Sequence, residues 1–222
     1  MKRMVLLICF VLFLVGGCAQ TKEIIIRDWT GIVEKPSWAI GERWSYKVTD
    51  SQGNYRTNII EYIGKEGKYV GKYVGKDSYH VFLRDKGTKR YFTEDFHWAF
   101  TLIEEKEGWR DYEFFDPPNK YFEFPLQIGK SWQHDLVTTK ITGDPPVPRT
   151  GKCVKERRIL DYVRIMINGK SYEAFKIEEK CQIHKTRQVI WYSPPVKNWV
   201  KRVWYNADGS WWQEELINYE QK

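Results

Sequence analysis

Histidine and methionine are scarce in this chain of 222 residues, with four and three copies, and cysteine occurs only four times. His80, His97, His134 and His184 are scattered, without the His-Glu-x-x-His or His-x-His spacing that gathers ligands around a metal. No Cys-x-x-Cys pair occurs, so a zinc site gains no support from the cysteines. Gly-x-Ser-x-Gly is missing too, which leaves Ser193 and Ser210 without the turn that exposes an activated nucleophile. Gly129-Lys130-Ser131 imitates the end of a phosphate loop, but Phe124 stands where that loop needs its first glycine. Glu104-Glu105 and Glu214-Glu215 are adjacent carboxylates, and neighbours on a strand point to opposite faces, so neither pair converges as acid and base. The expectation is a protein that is not an enzyme, with no catalytic, cofactor-binding or metal-binding residue.

Amphipathic helices of normal length are also lacking. Short runs of Val, Ile, Tyr, Phe and Trp instead recur between Gly, Asp, Asn and Pro clusters, an antiparallel β pattern. Turns are expected at Asp50-Ser51-Gln52-Gly53, Asp85-Lys86-Gly87, Glu105-Lys106-Glu107-Gly108, Asn168-Gly169 and Asn206-Ala207-Asp208-Gly209. Within Tyr55 to Ile63 the alternation is partial, and Ile59-Ile60 marks a change of face or a bulge. The tandem Gly-Lys-Tyr-Val at 67–74 is too short for a solenoid repeat and reads as an edge strand guarded by lysines. Ile40-Gly41-Glu42-Arg43-Trp44 is echoed by Ile128-Gly129-Lys130-Ser131-Trp132, each a glycine turn feeding a strand whose first large residue enters the core. The fold class expected is mainly β: a curved antiparallel sheet, half-barrel or sandwich-like, with two related halves suggested at 36–118 and 119–222.

The one long apolar run, Met4 to Val15, follows Lys2 and Arg3 and leads into Gly16-Gly17-Cys18-Ala19. It is well short of the ~20 residues that cross a bilayer as a helix. The segment resembles a bacterial lipoprotein signal peptide. That resemblance implies cleavage after residue 17, lipidation of Cys18, and a tether over residues 18–35 leading to a β domain over 36–222. Ala19, where an Asp would signal inner-membrane retention, favours the periplasmic side of the outer membrane, or the cell membrane if the host has no outer one. The formal charge of +7 falls to +5 without Lys2 and Arg3. Such an excess suits anionic headgroups or acidic glycans, and equally an ordinary mixed-charge surface. The compartment disfavours nucleic acid, and none is expected as a partner.

Cys9 leaves with the signal and Cys18 carries lipid, so Cys153 and Cys181 remain, and an isolated pair in an oxidising envelope suggests a disulfide. They flank the Asn168-Gly169 turn, although the register of a two-residue turn would not align them without a bulge or a longer turn.

Phe124-Pro125-Leu126-Gln127-Ile128-Gly129-Lys130-Ser131-Trp132 resembles a segment of uncharacterised bacterial β-rich lipoproteins with a Gly-Lys-Ser-Trp motif. Tyr172 to Ile177, Trp191 to Pro195, Val200-Lys201, Glu215 to Ile217 and Tyr219 follow in the order seen there, although Ser171-Tyr172 replaces an expected glycine. The resemblance covers the C-terminal half well and the N-terminal half loosely. It implies a curved antiparallel sheet broadly similar to the LolA/LolB lipoprotein carriers, and it brings no activity.

What the chain has in excess is aromatic: 11 Trp, 14 Tyr and 11 Phe. Trp191, Trp199, Trp204, Trp211 and Trp212 crowd its end. Trp211 and Trp212 are adjacent and must face opposite ways on a strand, one inward and buried, the other a candidate ligand or partner contact. The leading expectation is a noncatalytic lipid-anchored envelope protein whose concave apolar face binds a lipid or other hydrophobic ligand. The alternative is a structural or assembly module that recognises an envelope protein or cell-wall glycan through exposed aromatics. Cys18→Ser is expected to abolish incorporation of radiolabelled fatty acid and to leave the precursor uncleaved. Equal detergent-phase protein from the variant and the parent would contradict the lipid anchor.

Overall fold

The β-branched and aromatic runs form thirteen strands among the residues described by this computed structural model, which are 22–66, 79–85, 87–104, 110–142 and 147–222. The expected signal segment, Cys18, the 67–76 repeat and the expected turn at 105–108 lie outside them. The strands are β1 (Glu23–Ile25), β2 (Arg43–Asp50), β3 (Tyr55–Glu66), β4 (Tyr79–Arg84), β5 (Thr88–Phe92), β6 (Trp98–Glu104) and β7 (Arg110–Asn119). They continue with β8 (Ser131–Thr142), β9 (Val147–Ile167), β10 (Lys170–Cys181), β11 (Thr186–Ser193), β12 (Asn198–Tyr205) and β13 (Trp211–Glu220).

Strands β2 to β13 run up and down in chain order, and β13 pairs antiparallel with β2, so twelve strands close a barrel. The expected half-barrel or sandwich is therefore too open a description: pairing Trp212 with Asp50 and Glu220 with Arg43 removes both sheet edges. The segments 36–118 and 119–222 contribute successive arcs of that single barrel, β2–β7 and β8–β13. Strand β1 continues the wall beyond β8, with Glu23 opposite Ile165 of β9. Outward positions on β10 and β11 carry ion pairs such as Arg187–Glu178 at 2.6 Å and Lys180–Glu178 at 3.0 Å.

Side-chain alternation sends Trp44, Tyr46 and Val48 of β2 inward, and with them Ile60, Phe82, Phe175, Ile177, Tyr192, Trp199 and Leu216 from the other strands. Ile59-Ile60 does not switch the face. Ile60 is buried opposite Trp44 and pairing is regular there; the register shifts later, between Tyr62 and Gly64, where Gly64 has φ +113°. One end of the barrel is stoppered by two crossing segments, 26–42 and 120–130. Val33 and Leu126 exchange backbone hydrogen bonds of 3.0 and 2.8 Å, Trp29 stacks on Tyr162 at 4.3 Å, and Phe122 and Leu126 are fully buried. The turns β2–β3, β4–β5, β10–β11 and β12–β13 stand around the opposite end.

The two glycine-turn echoes enter β2 and β8 with φ of +89° at Gly41 and +82° at Gly129, a conformation that only glycine adopts without strain. Their tryptophans differ. Trp44 is fully buried and donates Nε1–H to the Val196 carbonyl at 2.8 Å; Trp132 is half-buried and donates to the Lys120 carbonyl at 2.9 Å. In the phosphate-loop lookalike, the Lys130 ammonium donates to the carbonyls of Glu123 at 2.6 Å and Pro125 at 2.9 Å, so its charge fastens this loop.

Cys153 and Cys181 are joined by a disulfide, with Cα atoms 6.2 Å apart. Asn168 and Gly169 make the two-residue turn, with Ile167 opposite Lys170, and a bulge at Lys176/Ile177 shifts the register so that Cys181 faces Lys155. The bridge then runs diagonally to Cys153, one pleat further along the same face. From the burial of the echo residues, Trp44→Ala should cost about 3–5 kcal/mol, whereas Trp132→Ala should cost clearly less. Urea unfolding of the two variants measures this, and equal losses would contradict the asymmetry.

Candidate functional site

Twelve strands enclose more volume than side chains fill. The apolar residues occupy the stoppered half of the lumen, and the other half is a cavity of about 990 Å³ open between the hairpin turns. The expected concave apolar face is thus split: its apolar part is packed solid, and its open part is mixed and strongly basic. The lining includes seven basic residues, Arg56, Arg84, Arg90, Lys140, Arg149, Lys155 and Arg202, against three acidic ones, Asp50, Glu113 and Glu214.

Buried ion pairs make the floor. Glu214 accepts from Asn58 at 3.2 Å, Arg84 at 2.5 Å, Trp199 Nε1 at 3.2 Å and Arg202 at 2.7 Å. Burial alone would raise its pKa, but Arg202, Arg84 and Arg90 outweigh that and hold it at about 2. On the opposite wall, Glu179 accepts from Arg157 Nε at 2.6 Å and Lys155 at 2.9 Å. There too burial pushes up, Arg157 and Lys155 push down, and the pKa settles at about 2. Further guanidinium donors reach inward to the end of β7 and the crossing segment: Arg157 binds Asn119 Oδ1 at 2.9 Å and the Lys120 carbonyl, and Arg202 binds the Tyr121 hydroxyl at 2.8 Å. Gln188 donates to the same hydroxyl at 3.2 Å, which makes Tyr121 the centre of the floor.

Arg90 differs from its neighbours. Its guanidinium lies 4.7 Å above the Trp98 ring, its Nε is buried without a hydrogen-bond acceptor, and no carboxylate pairs with it among the described residues. Burial and then the charges of Arg84 and Arg202 disfavour its cation and push its pKa well down. A guanidinium nevertheless stays protonated in proteins, so the site retains an unmet demand for negative charge.

Aromatic rings form part of the wall. Trp212 lines the cavity and stacks on Trp204 across the β12–β13 pair, with centroids 6.1 Å apart and planes within 7°, while Arg202 lies 5.0 Å from the Trp212 ring. Trp211 points away from the lumen, opposite Tyr205. The two tryptophans take opposite faces, yet both are half-buried, so neither has the fully buried position expected of the inward one. The reason is height in the barrel: at this level the inward side meets the cavity. Cys153 and Cys181 also line that wall. Trp191 faces outward, between the ammonium groups of Lys176 at 5.5 Å and Lys201 at 5.8 Å.

Arg84, Arg90, Arg202, Glu214 and Tyr121 were not singled out by sequence. The usable signal was parity: Arg202 and Trp204 alternate with Val203 on β12, as Trp212 and Glu214 do with Gln213 on β13, so the charges share the tryptophans' face. Among the described residues no group of three or more His, Cys, Asp or Glu is placed to hold a metal ion.

The two carboxylates set an acid limit on stability. Both have folded pKa values near 2 against an ordinary 4.5, so the native state binds fewer protons than the unfolded one between these values. Their stabilisation is complete above about pH 4.5 and is lost as pH falls toward 2. Urea midpoints should fall steeply across that window, and a flat profile would contradict the belt. Glu214→Gln, which strands Arg84 and Arg202, should cost about 3–5 kcal/mol at neutral pH and flatten part of the slope.

No protein-family model and no curated protein matches the chain. Two solved structures are similar to it in outline. The hypothetical lipoprotein YmcC of Escherichia coli K12 is 8% identical with a TM-score of 0.42, covering 82% of this chain and 90% of that one. A protein described as a lipoprotein from Parabacteroides distasonis ATCC 8503 is 11% identical with a TM-score of 0.42, covering 86% of this chain and all of that one. Similarity this low assigns neither a family nor a ligand.

Proposed function

We propose that this chain is a noncatalytic, lipid-anchored envelope protein that receives a small amphiphilic molecule in the open half of its barrel. The observation that carries the reading is the cavity: about 990 Å³, walled by a closed sheet, floored by a fixed ion-pair belt and open at one end only. Its size lies near the upper end of ordinary small-molecule sites, and its lining combines aromatic rings with a few oriented charges. A lipid's apolar tail alone would leave the belt unmatched, so the ligand favoured here has a polar end.

Anchoring at Cys18 on the outer membrane fits the same geometry. The Lys22 carbonyl accepts from Met166 beside the β9–β10 turn, so the chain enters the barrel at its stoppered end. A tether there would turn the mouth away from the lipid surface and toward the aqueous compartment.

Gly151 provides the test. It lines the cavity, and a Cβ built on it meets nothing within 4 Å, so Gly151→Trp should fill the lumen without disturbing the wall. Native mass spectrometry of the mature protein extracted from its own membrane should show a stoichiometric small-molecule adduct that the variant lacks. No adduct on the parent protein, or the same adduct on both, would overturn the reading.

A further inference from the structure

We propose that the lumen selects a molecule with a compact anionic oxygen group, a carboxylate or a phosphate, on a flat apolar body, and that Arg90 is the partner of that group. The inference rests on the lumenal binding reading and names its ligand class. Every acid of the lining is already committed. Glu214 is held by Arg84 and Arg202; Glu113 pairs with Lys140 at 3.2 Å; Asp50 accepts from its own turn, from Gln52 at 2.9 Å and Asn54 at 3.0 Å. What remains uncompensated on the floor is Arg90, with a buried Nε that has no acceptor. Thr101, directly opposite it on β6, also has a buried hydroxyl without a partner, and so does the Nε of Arg202. Arg90 is half-buried, and a cation with idle buried donors is costly unless an anion completes it; a carboxylate or phosphate oxygen accepts from several such donors at once.

The body of the ligand follows from the walls. Trp98 lies beneath Arg90, and Trp204 and Trp212, parallel to within 7°, both line the cavity and offer apolar surface to a flat group. Toward the mouth, Arg56 and Arg149 make no ion pair among the described residues, and their charges would draw an anion inward.

The test is calorimetric titration of the mature lipoprotein in nanodiscs, against empty nanodiscs, with 2-naphthoate, 2-naphthyl phosphate and neutral 2-naphthamide. At least one anion should bind tenfold or more tightly than the amide, and the tighter anion identifies the headgroup as carboxylate or phosphate. Arg90→Gln should lower anion affinity at least tenfold and change amide affinity less than twofold, with circular dichroism showing that the variant stays folded. Arg90→Lys, which keeps the charge, should retain a preference for the anion. Equal affinities for amide and anions, or an Arg90→Gln variant that binds the anion undiminished, would overturn the inference while leaving lumenal binding intact. If none of the three probes binds, or if Gly151→Trp binds them all as well as the parent, lumenal binding itself fails and the inference with it.

Discussion

Two buried carboxylates, Glu214 and Glu179, hold the interior of this barrel in its two halves. Neither could be buried alone, since an unpaired charge away from water costs several kcal/mol. Glu214 gathers donors from strands far apart in the chain, Arg84 lying 130 residues away, whereas Glu179 is held by Lys155 and Arg157 of the neighbouring strand β9. Because Arg157 and Arg202 also reach Asn119, Lys120 and Tyr121, the crossing segment is fastened at the level of the belt. Below it, Phe122 and Leu126 join the aromatic core. Above it the lumen stays open.

The belt also explains why the cavity is electrostatically lopsided. A carboxylate shared by two arginines neutralises only one of them, so building the floor from Glu214 with Arg84 and Arg202 leaves positive charge over, and Arg90 adds more. In water such an excess would be screened; in a partly enclosed lumen it persists. The features that stiffen the floor therefore give the site its excess of positive charge. Placing that site on strand-borne side chains, rather than on the hairpin turns, keeps its geometry fixed by the wall.

The stoppered end serves a different purpose. Trp29, Val33 and Trp38 from the segment before β2 pack into the barrel opening, and Trp38 lies against Tyr62, His80, Phe82 and Phe96 with centroids 4.6–5.8 Å away. The residues that follow the expected lipid attachment point are thus part of the core rather than a loose leash. Only the stretch before Lys22 is left to set the distance between the domain and a membrane.

Much of this was readable from the residues themselves. Alternating apolar positions and turn residues determined that the chain is antiparallel β, and Asn168-Gly169 and Gly209 stand where hairpins turn. Counting cysteines singled out Cys153 and Cys181, because Cys9 was expected to leave with a signal peptide and Cys18 to carry lipid, and the two glycine turns marked the entries of β2 and β8. Alternation also put Trp211 and Trp212 on opposite faces. It could not say what lies on each face. Whether an inward side chain meets core or cavity depends on how many strands close and where β13 finds β2, and that pairing joins residues about 160 positions apart, such as Trp212 and Asp50. The charged floor was hidden for the same reason: Arg84, Arg90, Arg202 and Glu214 look like ordinary surface charges in a linear pattern, and only closure brings them inside. Local sterics and periodicity are written residue by residue, whereas volume and charge balance are properties of the closed barrel, which exists only once distant strands have paired.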